Sequence, residues 1–241
     1  MDDYLAGNVY IDGKPVNAVY AWEFTGLDPK TGFATFKGCS SNEDEVEKSD
    51  DPATYLKYVG PADPRFNGGL SSSLRWKNLT LSAQFAFGFG NYKRLNFIFE
   101  GDNKMPSPQT NMTKEMLGRW KQEGDQSMIP GLNFSDSNDY MICTPDRSAS
   151  WKNTYTMYNY SDARIVKGDF FRCRNLMLSY AVPYQFLRHM GVTAVSLGFN
   201  VTNPFTLCSS RFNGQDPEVS NTGSVALPIT QAYSLSLNVS F

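Results

Sequence analysis

The sequence has a single histidine, almost no net charge and no long apolar run. Each lack excludes something. A membrane-spanning helix needs about 18 or more consecutive apolar residues, and no window of that kind exists. Spanning strands stay open, because they alternate and their average hydropathy is low. The mean hydropathy of −0.41 suits a soluble protein and a barrel alike. A formal net charge of −2 and a pI near 5.5 give no basic patch, so nucleic acid is not an expected partner. The four cysteines, Cys39, Cys143, Cys173 and Cys208, have no CxxC or zinc-finger spacing. Isolated thiols are the expectation, and spacing alone fixes no disulfide.

Enzyme signatures are missing as well. A Ser-His-Asp triad would have to use His189, which sits beside Arg188 in a short turn and reads as a solvated turn residue. Gly88-Phe89-Gly90 has no following helix and is no nucleotide motif. The acidic stretch at 43–51 reads as a solvated loop rather than a cation site. No catalytic residue, metal or cofactor is expected. The start, Met1-Asp2-Asp3-Tyr4, lacks the basic and apolar regions of a secretory signal.

What the chain does have is aromatics, at 14%, and alternation. From Ala232 to the terminal Phe241, the residues Tyr233, Leu235, Leu237, Val239 and Phe241 share one face. Ser234, Ser236, Asn238 and Ser240 share the other. A period of two means a strand, and about 9–11 residues cross a bilayer at a tilt. A chain stopping on the aromatic of such a strand resembles the terminal strand read by the barrel-assembly machinery. The same pattern recurs at Thr193–Thr202, at Leu79–Gly90 and, just before that, at Leu70–Trp76. Lys77-Asn78 then reads as a tight hairpin turn, with Asn78 suited to positive φ.

The stretch from Phe171 to Tyr180 alternates too, but its apolar parity switches between Cys173 and Leu176. One extra residue at Arg174-Asn175 predicts a β-bulge. Without it, Arg172 and Arg174 would face lipid with Leu176, at about 2–4 kcal/mol each near the midplane.

Connections are unequal. A turn of about two residues follows Trp76, while roughly 78 residues separate Asn91 from Gly168, and Pro204–Gln231 is also long. Short turns at one end and long loops at the other are the grammar of outer-membrane barrels. Counting strand directions places Phe241 at the short-turn end. Val16–Lys37 reads as two short strands around a turn at Leu27–Gly32. Thr113–Gln122 reads as a short helix capped by Thr113 or Asn111, with Met116, Leu117 and Trp120 on one side.

These pieces together resemble the SusC/RagA family of TonB-dependent outer-membrane transporters of Bacteroidota. Gly13-Lys14-Pro15-Val16 through Tyr20, then Gly26–Gly32, is similar to "G-x-P-V … Y … G-L-D-P-x-T-G". Asp63–Gly69 resembles "D-P-x-F-x-G-G", and Met116–Trp120 resembles a loop helix ending in "R-W". Phe171–Pro183 is similar to "L-R-L-K-N-L-T-L-G-Y-x-x-P". Asn200–Thr206 stands where the family reads "Q-N-L-F-T", and Asp216-Pro217-Glu218-Val219 matches "D-P-E-V".

The resemblance implies an all-β fold, with about five to seven antiparallel strands from the C-terminal part of a barrel of about 22. It implies an external loop and hairpin region at 1–62, a strand hairpin at 63–90, a long extracellular loop at 91–168 and the last three strands at 169–241. The plug domain would be absent, and the chain would be a piece of a longer protein. The implied setting is the outer membrane of a Gram-negative, Bacteroidota-like cell, against lipid. The implied partners are a SusD-like surface lipoprotein and the TonB complex, the latter through the missing N-terminal part. The implied activity is uptake of oligosaccharides or peptides, for which the fragment alone is not competent. Tyr233, Leu235, Leu237, Val239 and Phe241 would be the assembly signal. Trp151, Tyr155, Tyr158 and Tyr160 are candidate ligand-contacting loop aromatics, because aromatic faces stack on sugar rings. The competing reading is a soluble secreted β-sandwich that binds carbohydrate or another ligand.

Overall fold

The computed structural model describes residues 2–42, 46, 56–99, 109, 111–132, 140–142, 151–189, 191–219, 223 and 226–241. In chain order the elements are α1 (Asp2–Ala6), β1 (Ala18–Trp22), β2 (Phe24–Leu27), β3 (Ala34–Phe36), β4 (Leu56–Pro61), β5 (Phe66–Trp76) and β6 (Leu79–Phe89). Then come β7 (Tyr92–Arg94), β8 (Tyr140–Ile142), β9 (Trp151–Asn153), α2 (Thr154–Asn159) and β10 (Ile165–Lys167). Last are β11 (Phe170–Ala181), α3 (Tyr184–Leu187), β12 (Ala194–Cys208) and β13 (Ala232–Ser240). They form two compact units. One holds Met1–Asp63, Tyr92–Val166 and Ser220–Ala226, and the other Pro64–Asn91, Lys167–Val219 and Leu227–Phe241.

The second unit is one five-stranded sheet, ordered β5-β6-β11-β12-β13 and antiparallel throughout. Within the sheet the strands keep their chain order, with β7 to β10 inserted between β6 and β11. The pairing puts like against like. Leu74 meets Leu81, Leu81 meets Leu178, Leu178 meets Phe199 and Phe199 meets Leu235. On the opposite face Ser73 meets Ser82, their hydroxyls 3.1 Å apart, and Ser196 meets Asn238. A slip of one residue would invert every side chain of a strand, so the alternation fixes the pairing. Every residue of β5 and of β13 is exposed, whichever way it points. A sandwich must bury one face of each sheet. Within this unit no second sheet covers either face, which removes the sandwich reading.

The bulge falls where the parity break predicted it. Pairing of β11 shifts between Cys173 and Asn175 against both of its neighbours: Arg174 is the extra residue against β6, while against β12 the surplus lies on β12, at Asn203-Pro204. The hairpin turn is corrected in one detail. Trp76 pairs with Leu79 as expected, but it is Lys77 that takes positive φ, at 52°.

The first unit is built from two-stranded pieces, β1 with β4, β2 with β3, β7 with β10, and β8 with β9. Its core gathers Trp22, Phe33, Phe36, Leu56, Phe99, Met116, Tyr155, Met157 and Tyr158. The β2–β3 turn is closed by Asp28, whose carboxylate accepts from the Lys30 N–H at 2.8 Å, an Asx turn. Gly32 is required there: its φ is 71°, and a Cβ would lie 2.2 Å from the Trp120 ring.

The predicted helix at 113–122 is instead one 3-10 turn, Lys114–Gly118. Met116 goes inside and Leu117 is 73% exposed, while Trp120 is buried from beyond the turn, after the extended Arg119. Thr113 occupies the N-cap without a side-chain hydrogen bond. Cys39 is disulfide-bonded, which corrects the expectation of isolated thiols, while Cys173 and Cys208 are free. Cys143 and most of the acidic stretch at 43–51 lie outside the described residues.

Candidate functional site: an apolar wall and a charged clamp

The alternating strands create an exposed apolar surface. Leu74, Trp76, Leu81, Leu178, Tyr180, Leu197 and Phe199 stand on one face of the five-stranded sheet, all exposed, and Leu235 on β13 reaches 78%. Large continuous apolar surfaces of this kind mark contact with lipid or a partner. Tyr233, Leu235, Leu237 and Val239 belong to this face and are exposed, as is the terminal Phe241. Aromatics thicken the wall near the bulge, where Phe85 stacks on Phe171 with ring centroids 5.2 Å apart.

The opposite face is small and polar along Ser82, Ser179, Gly198, Ser234 and Ser236. It carries one dense feature. Arg172, beside Ala86 and Thr206 in the pairing, has a side chain only 2% exposed. Its guanidinium reaches Asp216 and Glu218 at 2.5 Å each, and Glu218 also holds Arg174 at 2.5 Å. The Asp216 carboxylate accepts the backbone N–H of Glu218 at 2.9 Å and of Ile229 at 3.1 Å. Burial pushes the Asp216 carboxyl up, but the Arg172 hydrogen bond, these two N–H donors and the Arg172 charge together hold it below its usual range.

This clamp ties the β12–β13 connection to β11 beside a cleft of about 450 Å³, lined by Arg172, Phe205, Phe212, Asp216 and Ile229 among others. Next to it Asn203 has φ 52° directly before Pro204. A residue before proline is normally extended, so the backbone is strained there. The sequence showed the Asp216-Pro217-Glu218-Val219 motif and the parity break separately. It did not show that the motif's carboxylates neutralise the bulge arginines, because the partners lie 44 residues apart.

The loop aromatics do not form an open platform. Tyr155 and Tyr158 are 0% and 3% exposed in the core of the first unit. Their hydroxyls donate to the carbonyls of Gly131 and Met128 at 2.8 and 2.9 Å. Tyr155 and Tyr158 lie three residues apart on α2, which turns both rings inward. Tyr160 is half-buried, with the Arg94 guanidinium 4.8 Å from its ring centre. Trp151 contributes backbone to β9, and its side chain lies outside the described residues. His189 accepts from Arg188 at 3.0 Å at an exposed position. Among the described residues no group of His, Cys, Asp and Glu could hold a metal.

No family model matches the chain. A curated relative, TonB-dependent receptor P3 of Formosa agariphila, is 23% identical over 216 residues, which are 86% of this chain and 19% of that receptor. Among solved structures, the RagAB peptide importer in its open-open state matches with a TM-score of 0.63 at 24% identity, over 95% of this chain and 23% of that one. A further structure of the RagAB peptide transporter gives 0.64 at 23% identity, over 93% and 23%. The chain therefore spans less than a quarter of each of these proteins. The five-stranded meander has the fold of a TonB-dependent receptor's barrel wall, and the chain resembles the SusC/RagA family of these receptors.

Proposed function

We propose that the chain forms part of the wall of an outer-membrane, TonB-dependent nutrient importer. The observation that carries this is the sheet itself. Five sequential antiparallel strands match apolar to apolar on one exposed face and small polar residues on the other. In lipid every backbone polar group needs a partner, so spanning strands must close into a barrel. The edges β5 and β13 would then pair with strands supplied by the rest of the receptor.

By strand direction, 91–168 stands at the extracellular end, together with 1–62, and the Lys77-Asn78 turn and Phe241 stand in the periplasm. Tyr233, Leu235, Leu237, Val239 and Phe241 would face lipid and serve the barrel-assembly machinery. A SusD-like surface lipoprotein would cover the outer opening, and TonB would act through a plug outside this chain. The cargo would be an oligosaccharide or a peptide. The solved structures it resembles are named peptide importers, which supports the second. The chain's part is structural and it performs no catalysis.

Fractionation of cells expressing the receptor that contains this segment is the test. The segment should resist carbonate extraction in the outer membrane, and TonB-dependent uptake of peptide or oligosaccharide should vanish when β11–β13 are deleted. Recovery of the protein in the soluble periplasm would refute the reading.

A further inference from the structure

Three arginines are buried among the described residues: Arg94, Arg164 and Arg172. Two of them face carboxylates, Arg164 on Glu115 and Arg172 on Asp216 and Glu218. Arg94 faces none. It sits in β7 at 6% exposure, and its hydrogen bonds go to the carbonyls of Tyr20 at 3.1 Å and Asn159 at 3.4 Å. The Tyr160 ring covers it from 4.8 Å. A buried charge without an opposite charge is costly, and burial pulls this guanidinium down to about 10. It stays charged at neutral pH and has no carboxylate paired with it among the described residues.

Arg94 also lines a cavity of about 460 Å³ in the same unit, with Leu5, Val19, Tyr92, Tyr160 and Asp63 on its walls. The Asp63 carboxylate on that wall accepts from the Asn17 amide at 2.5 Å, and its charge acts on the Lys93 ammonium. A guanidinium offers five N–H donors, and backbone carbonyls use only part of that fork. The aromatic and aliphatic walls suit an organic body more than a bare phosphate.

We propose that this cavity binds a small organic carboxylate, with Arg94 as its counter-charge. The planar carboxylate matches the fork of a guanidinium. The chemistry has two natural sources, the C-terminal carboxylate of a short peptide and the acid group of a uronic sugar. The site does not depend on the import reading, since binding is measured without transport.

Calorimetric titration of the detergent-purified receptor that contains this chain, with four probes, tests it. Trialanine and galacturonate carry the acid, while trialanine amide and galactose are their neutral counterparts. At least one acid should bind saturably and about tenfold or more tighter than its counterpart, the equivalent of about 1.4 kcal/mol. Trialanine alone assigns the peptide source, galacturonate alone the sugar source, and both assign a general carboxylate site. Arg94→Lys should weaken binding about tenfold by losing the fork, and Arg94→Gln should abolish the acid preference. If neither acid outbinds its neutral counterpart in the unmodified receptor, or if Arg94→Gln leaves the acid preference intact, the proposal is wrong.

Discussion

Arg172 and Asp216 show what a buried charge requires on the face of a sheet. Both side chains are at most 5% exposed, and each is satisfied by more than one partner. A buried pair of this kind adds little net stability, but losing one member strands the other at about 3–5 kcal/mol. Asp216→Asn should sit at the low end, about 3 kcal/mol, because Glu218 still faces Arg172. Chemical denaturation in detergent measures it. The pH dependence has a definite sign. A carboxyl held below its usual range contributes fully above its unfolded value of about 4. It loses that contribution as pH falls through the lower folded value. The denaturation midpoint should therefore drop below about pH 4 in the parent protein, and Asp216→Asn should flatten that drop. None of this pairing was legible in the sequence. The residues were visible, but the contact depends on the bulge and on how the connection from β12 to β13 folds back.

The strands are where sequence and structure agree most closely, for a physical reason. Alternation is a local property with a period of two, so it can be read without knowing the fold. The bulge at Arg174 was legible because it breaks that period. Removing it should be severe: deletion of Arg174 would force Arg172 or the apolar residues beyond it onto the wrong face, and heat-modifiable gel migration should be lost. A milder pair of variants separates the two faces. Leu237→Arg puts a charge on the apolar face and should cost about 2–4 kcal/mol if it lies near the midplane. Ser236→Arg, its neighbour on the polar face, should assemble nearly as the parent does. Equal damage from both, measured by the same gel shift, would contradict the face assignment. The short elements of the first unit were read less well. Lys114–Gly118 is a 3-10 turn with Leu117 outside, since a ten-residue window with three apolar positions does not distinguish three residues per turn from 3.6.

At the scale of the molecule, the sequence suggested long loops where the structure has a second compact unit. The segment 91–168 carries β7 to β10 and α2, and it shares a core with residues from 1–63. Such a core depends on contacts between distant segments, Phe33 with Tyr155 and Phe99 with Tyr158 among them, and no local period announces it. The same fact withdrew Tyr155 and Tyr158 from the surface. The sheet carries the central claim, which is that one of its faces meets lipid and the other water. Spin labels placed one at a time from Ser234 to Val239, in the assembled receptor in lipid vesicles, read this directly. Labels at Leu235, Leu237 and Val239 should collide with oxygen dissolved in the bilayer, and those at Ser234, Ser236 and Asn238 with a water-soluble nickel complex. Accessibility that fails to alternate along β13, or alternates with the opposite phase, would contradict the account.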